Sequence, residues 1–183
     1  TPGKILVEKS FFKTLSVFDD CEDIDIEANE SMVRFTSGDD ITFVCKKMAG
    51  QYPNYNSVIP KNNPYTVVVD KRELASVVKR VALFSSESSN MIVLKKEGMF
   101  LDVEAQDIDF SMAANDQVII TDSTCPEDHC IAFKASSLLD SLAPIPSDTI
   151  CLHLSDPSRA GVITANESSP RALTLLMPMI IEE

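Results

Sequence analysis

Apolar residues recur at every second position in several short segments of the chain, as they do in half-buried strands. In Met99–Ala105, every second residue is apolar, and Asp102 and Glu104 lie on the opposite face. Similar alternation or short β-branched runs predict six further strands: Asp23–Ala28, Ile41–Cys45, Tyr65–Val69, Ile108–Ala114, Ile150–Leu154 and Ala172–Met177. Clusters of turn-forming residues separate these segments, among them 37–40, 62–64 and 166–170.

Three other segments carry apolar residues at the spacing of one helical face. These predicted helices span Lys9–Phe18, Lys71–Phe84 and Ser136–Leu142. In the second helix, for instance, Leu74 and Val78 lie one turn apart on the same face. Each helix is preceded by a short strand-like run, which is Ile5–Val7, Val67–Val69 or Ile131–Phe133.

The three helices are regularly spaced, which indicates an internal repeat. Val7, Val69 and Phe133 occupy equivalent places before them, at intervals of 62 and 64 residues. Each interval holds a strand, a helix and about three more strands. We therefore predict three copies of a βαβββ unit, at roughly 1–62, 63–125 and 126–183. Two such units can form one two-layer α+β domain, so three copies predict one complete domain plus half of another.

Composition limits the class of protein without identifying a function. Hydrophobic residues make up 44% of the 183 residues, and no apolar stretch is long enough to cross a membrane. Five cysteines, an odd number, favour reduced thiols and a cytoplasmic location over a disulfide framework. The start, Thr1–Lys4, does not resemble a signal peptide, and it suggests that the chain begins inside a longer protein.

Charge argues against a simple nucleic-acid binder, because the net charge of −12 makes the surface repel phosphate. The helices nevertheless carry a basic strip, defined by these residues: Lys9, Lys13, Arg72, Lys79 and Arg80. If the helices stack side by side, this strip could hold a phosphate backbone without contacting bases. The alternative is a solvated helix surface that binds no ligand.

Two segments carry a resemblance to a known family: Gly50–Pro60, with the sequence GQYPNYNSVIP, and Leu175–Met179, with the sequence LLMPM. Both resemble signature segments of the bacterial sliding clamp, the beta subunit of DNA polymerase III. The segment Phe133–Leu142 is similar to the last helix of that family. The resemblance extends over essentially the whole chain in the same order, so we expect the DNA-clamp fold built from repeated βαβββ units.

The resemblance implies that the chain is the C-terminal half of a clamp. A clamp subunit has three similar domains, each made of two βαβββ units, and two subunits close into a ring around duplex DNA. On this basis, residues 1–62 are the second half of the middle domain, and residues 63–183 are the complete last domain. The chain would then belong to a DNA polymerase processivity factor, which forms a homodimer at full length and has no enzymatic activity.

The resemblance also implies a hydrophobic groove for partner peptides between the last two domains. A replicative polymerase subunit, the clamp loader and repair polymerases insert short motifs with a Gln and Leu or Phe anchors. The matching positions are Pro53, Val58, Gly161, Leu175, Leu176, Met177, Pro178 and Met179. Methionine adapts to varied apolar anchors and Pro178 interrupts a strand ladder, so these residue types suit a groove. From the residues alone, an ordinary buried terminal strand is the alternative.

Two further surfaces follow from the resemblance. The basic strip would face DNA and make loose phosphate contacts, and Leu83 and Phe84 would lie at the subunit interface. Two positions depart from the family pattern. The family often has a basic residue where Ser57 stands and an aromatic residue where Ser137 stands, so we expect a groove rim of different charge and shape.

Three other interpretations stay open from the residues alone. A thiol–imidazole enzyme or a zinc site could draw on the following side chains: Cys125, His129, Cys130, Cys151 and His153. Their spacing fits no standard motif, and the sequence contains no phosphate loop or nucleophile elbow. A β-rich peptide-binding adaptor would share the groove but have no role on DNA. We expect neither a metal nor a cofactor.

Overall fold

The computed structural model describes residues 4–38, 41–167 and 172–181. The chain forms two compact units, Thr1–Asn54 and Tyr55–Glu183. Residues 55–64, which precede the first strand of the second unit, therefore belong to that unit. Two of the predicted turns, 37–40 and 166–170, lie partly outside the described residues.

The first unit contains one helix and a three-stranded antiparallel sheet. Helix α1 spans Lys9–Thr14 and continues into a 3₁₀ turn over Leu15–Phe18, so the predicted helix is confirmed. The strands are β1 (Asp25–Ala28), β2 (Met32–Ser37) and β3 (Ile41–Lys46), in the order β1-β2-β3. The buried core of this unit consists of Phe11, Phe18, Val33 and Phe35.

The predicted strand at Ile5–Val7 is wrong, because this segment has no strand conformation. It is held instead by a hydrogen bond from the Met48 N–H to the Leu6 carbonyl, at 2.8 Å. In the second unit, the corresponding strands pair with the other copy of the repeat, and the first unit contains only one copy. The sequence pattern predicts a strand here because it does not show whether a pairing partner is present.

The second unit contains two copies of the predicted βαβββ repeat. The first copy consists of β4 (Tyr65–Asp70), α2 (Lys71–Val81), β5 (Met91–Glu97), β6 (Phe100–Asp107) and β7 (Met112–Ser123). The second copy consists of β8 (Cys130–Lys134), α3 (Ala135–Leu142), β9 (Thr149–Leu154), β10 (Gly161–Ala165) and β11 (Leu173–Leu176). Both predicted helices of this unit are therefore confirmed.

The two copies exchange their first strands within one eight-stranded sheet. The strand order is β11-β10-β9-β4-β7-β6-β5-β8. Strand β4 of the first copy pairs with β9 of the second, with Val67 opposite Leu152. Strand β8 of the second copy pairs with β5 of the first, with Ala132 opposite Val93. Each copy thus supplies a strand that the other copy needs to complete its part of the sheet.

Helices α2 and α3 contact each other and pack against the sheet. The predicted apolar face of α2 is buried: Leu74, Val77, Val78 and Val81. Asp70 caps this helix, because its carboxylate accepts a hydrogen bond from the Glu73 N–H at 2.8 Å. Each buried aliphatic side chain contributes about 1.5–3 kcal/mol of transfer free energy, so this face holds the helix on the sheet.

The turn between β6 and β7 corrects a second prediction. The predicted strand Ile108–Ala114 is wrong in its first half, because residues 108–111 form the turn. The Asp107 carboxylate accepts hydrogen bonds from two backbone N–H groups of this turn, at 3.0 and 3.2 Å. These hydrogen bonds stabilise a turn, although the alternating sequence pattern predicts a strand. As a result, Ile108 and Phe110 are 79% and 74% exposed.

We predict that the free energy of unfolding of the second unit falls as the pH falls, because it contains two partly buried histidines. Burial lowers the pKa of both His129 and His153 below the ordinary value of 6.5. Just below pH 6.5 the unfolded chain therefore binds more protons than the folded chain, so stability is lost as the pH drops through this value. The melting temperature should be lower at about pH 5.5 than at about pH 7.5.

A double variant, His129→Gln with His153→Gln, is the control for this prediction. It should show a smaller change in melting temperature over the same interval, because carboxylates titrate mostly at lower pH. Equal changes in the variant and the parent chain would contradict the assignment to these histidines.

Candidate functional site

The C-terminal segment leaves the sheet at the residues that were predicted to form the groove. Strand β11 pairs with β10, with Leu176 opposite Gly161 and Leu175 opposite Val162. The ladder ends at Leu176, and Pro178 cannot extend it because proline has no N–H to donate. The Thr174 hydroxyl also donates a hydrogen bond to the Ser141 carbonyl in α3, at 2.9 Å, and so fixes this strand on the helix.

The segment beyond β11 forms an apolar ledge, defined here as Leu175–Met179. Leu176 is buried, while Leu175, Pro178 and Met179 are half-buried. Met177 is 62% exposed although its side chain is apolar. A ledge that keeps one flexible apolar side chain in solvent offers a contact surface to an apolar partner.

Gly161 lies beside this ledge, opposite Leu176. A Cβ atom at this position would approach the Leu154 Cδ2 and Phe133 Cζ atoms, each at 3.4 Å. The cavity among these side chains has a volume of only about 10 Å³. That volume is too small for a further side chain, so the residues beneath the ledge are closely packed.

The two copies of the repeat explain why the ledge is open. In the first copy, the last strand, β7, pairs with β4 over three residue pairs, including Val67 with Ser123. In the second copy, the equivalent contact between the C-terminal segment and β8 is one bridge, between Ala132 and Met179. The Met179 N–H donates to the Ala132 carbonyl at 2.8 Å. The ledge is therefore an incomplete counterpart of a ladder that the first copy completes.

The two remaining predicted groove residues lie on the connecting segment, defined here as residues 47–64 between β3 and β4. Val58 follows a 3₁₀ turn over Tyr55–Ser57, and its N–H donates to the Tyr55 carbonyl at 3.1 Å. Its side chain is 60% exposed. Pro53 is exposed and belongs to the first unit. Ser137, one of the two departures from the family pattern, is half-buried in α3.

All five residues of the basic strip are exposed, but two of them are already paired with acids. Arg72 lies 3.2 Å from Asp148, and Arg80 lies 2.6 Å from Asp116. The hydrogen bond from Arg80 holds the pKa of Asp116 below its usual range. Helix α3 adds no cation, since its sequence is ASSLLDSL. Of the strip residues on α2, Lys79 alone forms no ion pair with an acid among the described residues.

Leu83 and Phe84 lie in a 3₁₀ turn after α2 that contacts β6 and β7. Leu83 is 78% exposed and Phe84 is 40% exposed, so neither completes the core. The turn between β6 and β7 adds Ile108 and Phe110 as exposed apolar side chains. In the sequence, these two residues alternate with polar ones, so the pattern predicts a strand and does not reveal their exposure.

The side chains considered for a thiol or metal site are buried or half-buried. Burial raises the pKa of the Cys125 thiol to about 11, which opposes nucleophilic reactivity. The His129 Nε2 atom is buried without a hydrogen-bond partner among the described residues. Nowhere in 4–38, 41–167 and 172–181 do three potential metal ligands come together. In the same ranges, no helix is long and apolar enough to span a membrane.

Comparison with known proteins defines the class. The family model for the C-terminal domain of the DNA polymerase III beta subunit matches residues 56–180. The beta sliding clamp of Rickettsia bellii is 26% identical over 190 residues, which cover 97% of this chain and 49% of that protein. The clamp of Synechocystis is 28% identical over 145 residues, covering 77% and 36%. The chain belongs to the DNA polymerase III beta subunit family and spans about half the length of these relatives.

Solved structures agree with this assignment and confirm the predicted clamp fold. The sliding clamp of Bartonella birtlesii bound to griselimycin matches with a TM-score of 0.86 and 27% identity. The match covers 98% of this chain and 48% of that one. The Pseudomonas aeruginosa clamp bound to griselimycin matches with a TM-score of 0.87 and 24% identity, covering 97% and 47%.

Substitution of Gly161 should test the close packing beside the apolar ledge. Gly161→Ala places a methyl group in ordinary contact with Leu154 and Phe133 and should change stability by less than about 1 kcal/mol. Gly161→Leu has no free volume to enter and should cost about 1–3 kcal/mol. Urea unfolding of the two variants measures the difference, and equal midpoints would contradict the packing described here.

Proposed function

We propose that the chain is the C-terminal half of a sliding clamp, which holds a DNA polymerase on duplex DNA as part of a closed ring. Family membership and a match that covers 49% of the Rickettsia bellii clamp support this proposal. Residues 1–62 would then be the second half of the middle domain and residues 63–183 the last domain. The first unit fits half of a domain, because Phe12 and Val17 on its helix are 61% and 52% exposed.

The apolar ledge is the observation that carries the recruitment part of the proposal. Leu175–Met179, with Gly161 beside it and Val58 on the connecting segment, would take a short peptide with a Gln and Leu or Phe anchors. Exposed Met177 can adapt to anchors of different shape. Partners of this kind would be the replicative polymerase subunit, the clamp loader and repair polymerases. The family resemblance adds Pro53 to the residues of the proposed groove.

The DNA-facing part of the proposal uses the basic strip. Lys9, Lys13 and Lys79 are exposed and would contact phosphates directly. Arg72 and Arg80 would contact a phosphate only after it replaced their present partners, the carboxylates of Asp148 and Asp116. Such contacts are weak and independent of sequence, as sliding requires. The net charge of −12 would keep the remaining surface off DNA.

The subunit interface would be built from two exposed apolar turns of the second unit. Leu83 and Phe84 were predicted from the resemblance, and Ile108 and Phe110 are added from their exposure. In the complete protein, these side chains would be buried against a second subunit and so close the ring of the homodimer. The same proposal includes a cytoplasmic location and a protein without catalytic activity, cofactor or metal.

A peptide-binding adaptor with no role on DNA is the second candidate. The pairing of Arg72 and Arg80 with acids, together with the absence of cations on α3, favours it. This candidate shares the apolar ledge but predicts no salt-dependent association with DNA. The DNA-binding experiment below therefore separates the candidates, and the peptide-binding experiment tests the ledge that they share.

Peptide binding tests the ledge. A fluorescently labelled peptide with a Gln and Leu/Phe motif should bind the chain saturably, as measured by anisotropy. Met177→Ala should weaken binding about tenfold, since it removes an exposed apolar contact without disturbing the core. Leu173→Ala is the matched control, because Leu173 is 47% exposed at the other end of β11. Equal affinities of the two variants would contradict a role for the ledge.

DNA binding tests the strip. Association of the chain with a short labelled duplex at low salt should weaken as salt rises. Lys79→Gln should reduce the slope of log K against log [salt] by about 0.9, the loss of one phosphate contact. Lys46→Gln removes the same charge from the end of β3 and serves as control. An unchanged slope for Lys79→Gln, or equal slopes for the two variants, would favour the adaptor.

A further inference from the structure

One side chain, Asn63, ties the connecting segment to the hairpin that contains Gly161. The Asn63 Nδ2 atom donates hydrogen bonds to the backbone carbonyls of His153 and Ala160, each at 2.9 Å. His153 lies in β9, and Ala160 immediately precedes β10. The carboxamide therefore joins the segment before β4 to both sides of the β9–β10 hairpin.

The two bonds use both donors of the Asn63 amide. Its Oδ1 atom is buried and accepts no hydrogen bond from the described residues. A buried acceptor without a partner costs stability, so Asn63 is a poor choice if stability alone matters. Asn63 does supply two N–H donors on one short side chain, and the carbonyls of His153 and Ala160 accept from both. A second link, from the Arg159 Nη1 atom to the Asn62 carbonyl, is longer, at 3.4 Å, and exposed.

The position of Asn63 connects the two sides of the proposed groove. Ala160 is followed by Gly161, which lies opposite Leu176 at the start of the ledge. Val58 precedes Asn63 by five residues, so its Cα atom lies within about 17 Å of the Asn63 Cα atom. Fixing Asn63 on the hairpin therefore restricts where Val58 can lie relative to Gly161.

We propose that Asn63 is a positioning residue for the groove. It holds the connecting segment, and with it Val58, beside Gly161 and the ledge, and so raises peptide affinity without contacting the peptide. The inference rests on the proposed function of the groove. A side chain that only stabilised the fold would leave affinity unchanged well below the melting temperature.

The test compares Asn63→Asp with Asn62→Asp in the 183-residue chain. Asp has the size of Asn but places a carboxylate against two carbonyls in place of two donors. The neighbouring Asn62 side chain is exposed, so its substitution adds the same charge and leaves the bonds of Asn63 intact. Anisotropy with the labelled Gln and Leu/Phe peptide should show about tenfold weaker binding for Asn63→Asp and less than twofold change for Asn62→Asp.

Amide exchange supplies the second measurement. Exchange at Val58 and Ile59, whose N–H groups both donate to the Tyr55 carbonyl, should accelerate in Asn63→Asp and stay at the parental rate in Asn62→Asp. If Asn63→Asp does not fold, as judged by circular dichroism, Asn63→Ala and Asn62→Ala replace the pair and remove the donors without adding charge.

The outcomes distinguish a failure of the positioning role from a failure of the proposed groove. Parental affinity in the Asn63 variant, with the parent chain binding the peptide, overturns the positioning role alone. Failure of the parent chain to bind the peptide overturns the proposed groove, and the positioning role falls with it. Weaker binding by the Asn63 variant, together with faster exchange confined to the connecting segment, supports the positioning role.

Discussion

The exchange of first strands between the two repeats is the constraint on which the second unit depends. Strand β4 completes the sheet of the second copy and β8 that of the first, so neither copy has a finished sheet alone. The helices follow directly after these strands, with α2 beginning at Lys71 and α3 at Ala135. Because β4 pairs with β9 and β8 pairs with β5, the two helices are placed against each other and against the sheet. The three residues of the basic strip on α2 depend on this arrangement for their position.

The same exchange leaves one place where the pseudo-symmetry is broken. In the first copy, β7 continues far enough to pair with β4, whereas in the second copy the chain after β11 contains Pro178 and makes one bridge, at Met179. An incomplete ladder normally exposes strand groups that other chains can pair with. Here proline and two methionines follow the strand, and they turn the open edge into an apolar surface. The proposed groove is thus a consequence of the repeat that lacks a complete last strand.

The sequence predicted the repeat and the helices because a one-sided apolar face is a local property, as in Leu74–Val81. It missed β5 because Lys96 shares the buried face with Ile92 and Leu94, and its ion-pair partner, Glu127, lies 31 residues away. The alternating pattern also missed β10, because Gly161–Ala165 is buried on both faces and shows no alternation. The ledge came from family resemblance, and Asn63, whose partners lie 90 and 97 residues away, resembled an ordinary turn residue.

Electrostatics connects the paired arginines to the requirement that a clamp slides. A strip of unpaired arginines would bind phosphate tightly and resist movement, since each contact releases counterions. The exposed pairs of Arg72 with Asp148 and Arg80 with Asp116 are weak in water, because solvent screens them. In the proposed clamp, a phosphate would therefore replace either carboxylate at little cost, and the carboxylate would pair with the arginine again when the phosphate leaves. Paired cations reduce affinity without removing attraction, so their presence on α2 is compatible with a surface that stays close to DNA and does not hold it in one register.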